Sequence, residues 1–197
     1  MTNTVTGIII LAAGSSGRMG EPKQNLIFRG QTLLQRAIET AMSTACETIL
    51  VVVGANADII TPTITHTKVN IVNNTDWAEG ISSSIKSGIN EIQKINPAIN
   101  AVILMFCDQP FVDTHLLNML ILSKTKSGIA ASAYDDMIGM PTLFDKIYFD
   151  ELLNLNGNGG AENLLTKYGD ILTILPYDQG GIDIDTMEDF DYITYSL

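Results

Sequence analysis

The stretch from Ile8 to Lys23 sets the strongest limit on what this chain can fold into. Ile8 to Ala13 is a continuous apolar run with β-branched residues, and it stops abruptly at Gly14. Such a run reads as a buried strand, and Gly14, Gly17 and Gly20 read as a loop at its carboxyl end. Glycine allows a backbone to approach a ligand closely, and successive amides in such a loop can form an anion-binding concavity. With Arg18 and Lys23 among them, the glycines mark a candidate polyphosphate site. The loop is neither of the two commonest phosphate motifs. It lacks the Gly-Lys-Ser/Thr of a P-loop, and its spacing is G-x-x-G-x-x-G rather than G-x-G-x-x-G.

All of the arginines, Arg18, Arg29 and Arg36, lie in or just after this loop, in a chain of net charge −11. An acidic protein that gathers its arginines beside a glycine loop uses them locally, so a small polyanion fits better than a polymer. That charge argues against extended nucleic-acid binding, which calls for a basic face, and no nucleic-acid partner is expected. The Ile8–Ala13 run is far too short to span a bilayer, and no basic segment precedes it as in a secretory leader. No membrane association is expected. The two cysteines, Cys46 and Cys107, sit in apolar runs and suit reduced thiols in a cytoplasmic protein. A length of 197 residues suits one domain, 1–197, with room for a substantial core.

Beyond the loop, Thr32 and Gln35 have capping-box spacing, and Leu33 to Ala45 follows helical periodicity. Thr48 to Val53 reads as a second strand closed by Gly54, which makes a right-handed βαβ unit with the first. Val69 to Val72 is a candidate third strand, and Ile81, Ile85, Ile89 and Ile92 define one face of a further helix. Ser83 and Ser84 fall near that helix's amino end, where serine can cap as well as touch a ligand. Ala101 to Cys107 is the clearest strand, and Asp108-Gln109-Pro110 follows it. A carboxylate there occupies the crevice where open α/β sheets bind ligands. Asp108 therefore either caps the next helix or holds Mg²⁺, which prefers carboxylate and phosphate oxygens. A helix near Leu116 to Leu122 and a strand at Ile129 to Tyr134 come next, then the Asp135-Asp136 turn. Near the end, Gly181 to Asp185 reads as a short alternating strand that puts Asp183 and Asp185 on one face. Thr186 and Asp189 then have capping-box spacing.

The string Leu-Ala-Ala-Gly (11–14), Arg-Met-Gly (18–20) and Pro-Lys (22–23) resembles the nucleotide-binding signature of the nucleotidyltransferases related to the molybdenum-cofactor enzymes. Asn74, Trp77, Gly80 and the serines after it resemble a second signature, of the molybdopterin cytidylyltransferase branch. Asp108-Gln-Pro resembles the family's metal-binding aspartate, and Asp183-Ile-Asp-Thr its Asp-Ile-Asp-Thr-Pro-Glu-Asp ending with Met187 in place of proline. Three further positions depart from the family pattern. Met140 stands where relatives commonly carry His, while Asn158 and Glu162 replace the acid and the arginine of a Gly-Asp-x-Gly-Ala-Arg loop.

The resemblance implies a doubly wound, Rossmann-like, mostly parallel α/β fold of the nucleotidyltransferase type. It implies transfer of CMP from CTP to molybdopterin carrying molybdenum, with Mg²⁺ as cofactor and a molybdoenzyme or its chaperone as protein partner. Leu11, Ala12, Ala13, Gly14 and Gly17 would hold the nucleotide, with Asn74, Gly80 and Ser84 at the base or sugar. Arg18 and Lys23 would be catalytic. Asp108 and Asp185 would be the metal ligands, with Asp183 next in line. Ala13, where the guanosine branch has glycine, favours cytidine. The alternatives are another phosphate acceptor (a sugar phosphate, phosphocholine or methylerythritol phosphate) and a non-catalytic molybdopterin chaperone.

Overall fold

The structure, a computed structural model, describes residues 4–123, 128–134, 137–157 and 159–195. Asp135, Asp136 and Asn158 lie outside the described residues. In chain order the elements are β1 (Thr6–Ala12), the short hairpin β2 (Ile27–Phe28) and β3 (Gln31–Thr32), α1 (Leu33–Met42), β4 (Thr48–Val53), α2 (Ala57–Ile64), β5 (Asn70–Asn73) and α3 (Ile81–Ile95). Then follow β6 (Ala101–Phe106), α4 (Thr114–Leu122), β7 (Ile129–Tyr134), β8 (Met137–Asp145), α5 (Phe149–Leu153), α6 (Glu162–Lys167), β9 (Thr173–Pro176) and α7 (Met187–Tyr195).

Seven strands form one sheet in the order β5-β4-β1-β6-β8-β7-β9. β5, β4, β1 and β6 are mutually parallel, β8 runs against both β6 and β7, and β9 is parallel to β7. Among the described strands of this sheet, β8 alone is reversed. The carboxyl ends of β1, β6, β7 and β9 therefore open on the same edge.

From Gly7 onward strand β1 is apolar because both of its faces are covered. Ile8, Ile10 and Ala12 pack with Leu34, Ile38 and Ala41 of α1, Ile60 and Ile64 of α2, and Leu116, Leu117 and Leu120 of α4. Ile9 and Leu11 face the other way, against Ile85, Ile89 and Ile92 of α3, Phe149 and Leu152 of α5, and Leu164 and Leu165 of α6. This two-sided layering is the doubly wound plan. A third, smaller cluster joins Met19, Leu26, Phe28 and Leu33 to Ile184 and Ile193, which ties the amino-terminal loop to the end of the chain.

Local signals form as their residue types require. Thr32 and Gln35 make the reciprocal capping box of α1. Asp189 Oδ2 accepts from Thr186 N at 2.8 Å, and Asp189 N donates to Thr186 Oγ1 at 3.2 Å. Gly181 to Asp185 is not a strand. It begins in a 3-10 turn and continues as an extended strap outside the sheet, joined to the end of β6 by Ile184 N–H donating to Asp108 O at 3.1 Å. The strand at this edge of the sheet is instead β9. No described helix is long and apolar enough to cross a membrane.

Candidate active site

After β1 the chain moves to β4 and β5 on one side, then returns to β6 on the other. This reversal is the topological switch point of an open α/β sheet, where a crevice forms outside the carboxyl ends of the strands. The register sets Leu11 opposite Phe106, so the glycine loop and the Cys107–Asp108 turn leave the sheet side by side. Between them lies a cleft of about 470 Å³.

Its walls contain Leu11, Ala12, Ala13, Gly14, Gly80, Ser84, Lys23, Asp108 and Asp185 of the residues singled out in the sequence. Asp183, Ser15, Gln24, Trp77, Ala78, Ile81, Phe106 and Cys107 line it too. Gly17 and Arg18 are not wall residues, but Arg18 reaches in, with Nη2 2.9 Å from Asp185 Oδ2. Asn74 is not in the wall either. It is buried, and its amide donates to Ser83 Oγ at 2.8 Å and Ser84 Oγ at 3.1 Å, so it holds hydroxyls from behind. Ser83 Oγ in turn donates to Gly80 O at 2.8 Å, in the manner of a cap, whereas Ser84 faces the cleft.

Two glycines near the cleft have structural reasons. A Cβ at Gly54 would lie 2.8 Å from the Cβ atoms of Ala13 and Trp77 and 2.9 Å from Ala13 O, all of them rigid positions. Gly54→Ala is expected to lose about 1–3 kcal/mol and to alter Trp77 fluorescence, as read by denaturant melts and emission spectra. Gly80 opens α3 with φ 98°, a conformation strained for any residue with a side chain.

The chemistry concentrates on Lys23. Its ammonium pairs with the Asp108 carboxylate, lies 3.0 Å from Asp185 Oδ1, and donates to Ile184 O at 3.3 Å. The Lys23 and Asp108 side chains are only 16% and 13% exposed. Burial alone would lower the Lys23 pKa, but the Asp108 and Asp185 carboxylates outweigh it and hold the ammonium well above its usual value. Burial likewise works against the charged form of Asp185, and Lys23 and Arg18 overcome it, so its pKa lies below the ordinary carboxylate value. A lowered carboxylate pKa stabilises the fold above the unfolded value and fades as pH falls through the folded one, so the clamp is intact at neutral pH. Asp183 differs. Burial and repulsion from Asp108 and Asp185 raise it to about 6. Burial, with Asp108 adjacent, pushes the Cys107 thiol up to about 12, which makes it a poor nucleophile.

Asp108 does not cap the helix after Pro110. That helix is α4, capped by Asp113, whose carboxylate accepts Leu116 N–H at 2.8 Å. Asp108 Oδ1 is buried and has no hydrogen-bond partner among the described residues. Three carboxylates face one ammonium in the cleft wall, so a triphosphate would meet a net negative surface unless a cation came with it. An orphaned buried oxygen among hard oxygen donors fits Mg²⁺. The described residues hold no cluster of three or more His, Cys, Asp or Glu already arranged as a metal site, and Lys23 stands between two of the acids.

The acceptor-side departures have structural counterparts. Met140 is 2% exposed and packs in the core with Phe144, so its side chain contributes nothing to a ligand. Gly157, beside position 158, meets α3 rather than the cleft, its carbonyl accepting from Ser82 Oγ at 2.6 Å.

Sheet order, switch-point cleft and glycine loop together define an α/β domain of the nucleotidyltransferase type. The chain belongs to the MobA-like NTP transferase domain family, whose profile matches residues 8–171. It is 29% identical over 195 residues to nicotine blue oxidoreductase of Paenarthrobacter nicotinovorans, covering 93% of each chain. Similarity to the purine catabolism protein PucB of Bacillus subtilis (strain 168) is 26% over 202 residues, 96% of each. The molybdenum cofactor cytidylyltransferase of Escherichia coli (strain K12) is 31% identical over 86 residues, 43% of this chain and 44% of that one. Among solved structures, the homologue of Mycobacterium tuberculosis Rv0371c from Mycobacterium sp. strain JC1 superposes with a TM-score of 0.85 at 28% identity, covering 97% of this chain and 96% of that one.

Proposed function

We propose that this chain is a single-domain, Mg²⁺-dependent cytidylyltransferase that moves CMP from CTP to molybdopterin carrying molybdenum, forming molybdopterin cytosine dinucleotide and pyrophosphate. The observation that carries this reading is the meeting of Lys23, Asp108 and Asp185 beside the glycine loop. These residues come from three distant parts of the chain.

In this reading an oxygen of the acceptor phosphate attacks the α-phosphorus of CTP, and the bond to the pyrophosphate oxygen breaks. The acceptor is already an anion, so no strong general base is needed. Lys23 and Arg18 turn from their carboxylates to the triphosphate and neutralise charge developing on pyrophosphate. The amides of the loop donate to phosphate oxygens. Asp108 and Asp185, with Asp183 beside them, are the residues to hold Mg²⁺, which when bound supplies charge neutralisation at the α-phosphate. Ser84, oriented by Asn74, and the turn at Gly80 take the base or sugar. The Ala13 methyl narrows the base end against a purine, a discrimination by bulk of about 1–3 kcal/mol.

A second reading is supported by the acceptor side. Met140 is buried, and Glu162 stands where the family carries arginine, so an anionic acceptor loses two contacts. A different phosphate acceptor, or a molybdopterin carrier without turnover, follows from that. The test measures pyrophosphate release from CTP, GTP and ATP with molybdopterin, a sugar phosphate, phosphocholine and methylerythritol phosphate. The expected result is release with CTP and molybdopterin. Release with another acceptor reassigns the substrate, and pterin binding with no release identifies a carrier.

A further inference from the structure

Gln24 is 1% exposed and lies against the glycine loop, and nothing in the chemistry above uses it. Its Nε2 donates to Ala12 O at 2.9 Å and to Gly14 O at 3.1 Å. Its Oε1 accepts from Ser16 Oγ at 3.3 Å, and Ser16 Oγ accepts the Lys23 N–H at 3.0 Å. The amide orientation follows from chemistry, because two carbonyl oxygens can only accept and so must face the NH₂ group. The carbonyls between these two contacts and beyond them are also held by the protein. Ala13 O accepts from Ala55 N at 3.1 Å, and Ser15 O from Asn56 Nδ2 at 3.4 Å. Four consecutive carbonyls, Ala12 to Ser15, are thus turned toward protein donors.

A peptide unit is planar and trans, so its N–H points opposite to its C=O. Holding Ala13 O and Gly14 O sets the directions of the Gly14 and Ser15 amides, and both residues line the cleft. Among the described residues, no backbone or side-chain acceptor receives the N–H of Gly14, Ser15, Gly17 or Arg18. A Cβ on Gly14 would meet no atom within 4 Å, so packing does not dictate glycine there and the space belongs to the cleft. Ser16 takes φ 55°, the left-handed region, while its hydroxyl is shared between Gln24 and Lys23 N–H. We infer that Gln24 is a positioning residue, whose side-chain amide grips the loop's carbonyls and thereby aims its amides at the phosphates of the bound ligand.

The inference rests on the cleft being a phosphate site, and the test separates the two. Inorganic pyrophosphate and CTP, each with Mg²⁺, are titrated into the full chain by calorimetry and by the emission of Trp77, the sole tryptophan. Gln24→Met keeps an unbranched side chain and removes both donors. It is expected to weaken pyrophosphate and CTP by the same factor, about 30-fold, as for two ordinary hydrogen bonds lost. In turnover the change is expected in KM, with kcat held within about threefold, because the loop grips the triphosphate before and during the reaction. A purely architectural glutamine would lower the melting temperature and leave the affinity of the folded protein unchanged. That result overturns the inference. Wild-type protein that binds neither pyrophosphate nor CTP overturns the phosphate reading itself. Should Gln24→Met not fold, Ser16→Ala decides on the same titrations. It removes the hydroxyl that links Gln24 to the Lys23 amide, and weaker pyrophosphate binding supports the inference where unchanged binding refutes it.

Discussion

Lys23→Met is expected to release pyrophosphate from CTP roughly 100 to 1000 times more slowly than the wild-type protein, while binding Mn²⁺ more tightly when no nucleotide is present. The two effects have one origin. The Lys23 ammonium is the group that balances Asp108 and Asp185, and it stands in the space between them. Removing it deprives the triphosphate of its most enclosed cation, which lowers turnover. The same change leaves Asp108 without its cation and Asp185 with Arg18 alone, an imbalance that a divalent cation can relieve. Stopped assays of pyrophosphate release and electron paramagnetic resonance of added Mn²⁺ read the two quantities separately. Unchanged turnover in a folded variant would remove Lys23 from the mechanism. Unchanged Mn²⁺ affinity would show that the ammonium does not hold the metal's place.

Asp108→Asn is the second large effect, expected to lower turnover by at least about 100-fold and to weaken Mn²⁺ binding rather than strengthen it. The amide keeps the shape of the side chain and can still accept from Lys23, but it brings no charge to a cation. Asp108 Oδ1, buried and without a hydrogen-bond partner among the described residues, is the atom that loses most. Because Lys23 and Asp108 share one contact, combining the substitutions is expected to destabilise the fold by less than the sum of the separate effects, as a thermal or denaturant cycle measures. Strict additivity in that cycle, or full activity of the Asp108→Asn protein, would contradict the assignment.

Much of this architecture can be read from the residues because the strongest local signals agree with the global plan. The apolar runs at Ile8, Thr48 and Ala101 form the parallel strands β1, β4 and β6, and Ile85, Ile89 and Ile92 of α3 form one buried face. Both capping boxes form. What escaped the sequence reading depends on long-range context. β9 is four residues long and exposes Ile174, so its strand character comes from pairing with β7 rather than from a periodic pattern of its own. The strap at Ile182 to Asp185 alternates as a strand does, yet its backbone bonds to the end of β6 at one point and joins no ladder. Alternation encodes which residues face inward, so Asp183 and Asp185 both reach the cleft although the element is not the expected one.

At the site, the glycine loop, Asp108 and the acidic ending are visible as motifs, whereas the hydrogen-bond partners of Asn74 and Gln24 are not. Asn74 belongs to a signature segment but spends its amide behind Ser83 and Ser84. Gln24 sits one residue beyond the signature and grips the loop directly. Side-chain amides at either position look alike in a string of letters, and only burial and partners tell a brace from a binding group.

The attachment of the strap to Lys23 and to the small cluster around Met19 and Ile184 has a consequence for biosynthesis. The glycine loop is made well before its second acidic counterpart, Asp185, which lies 162 residues beyond Lys23. A nascent chain could assemble β1, β4 and β6 with their helices and bring Lys23 to Asp108, yet still lack Asp185 and the carbonyl of Ile184. Under the proposed mechanism, turnover would begin only when the segment carrying Asp185 folds back onto Lys23, so products of translation that stop before it would be inert.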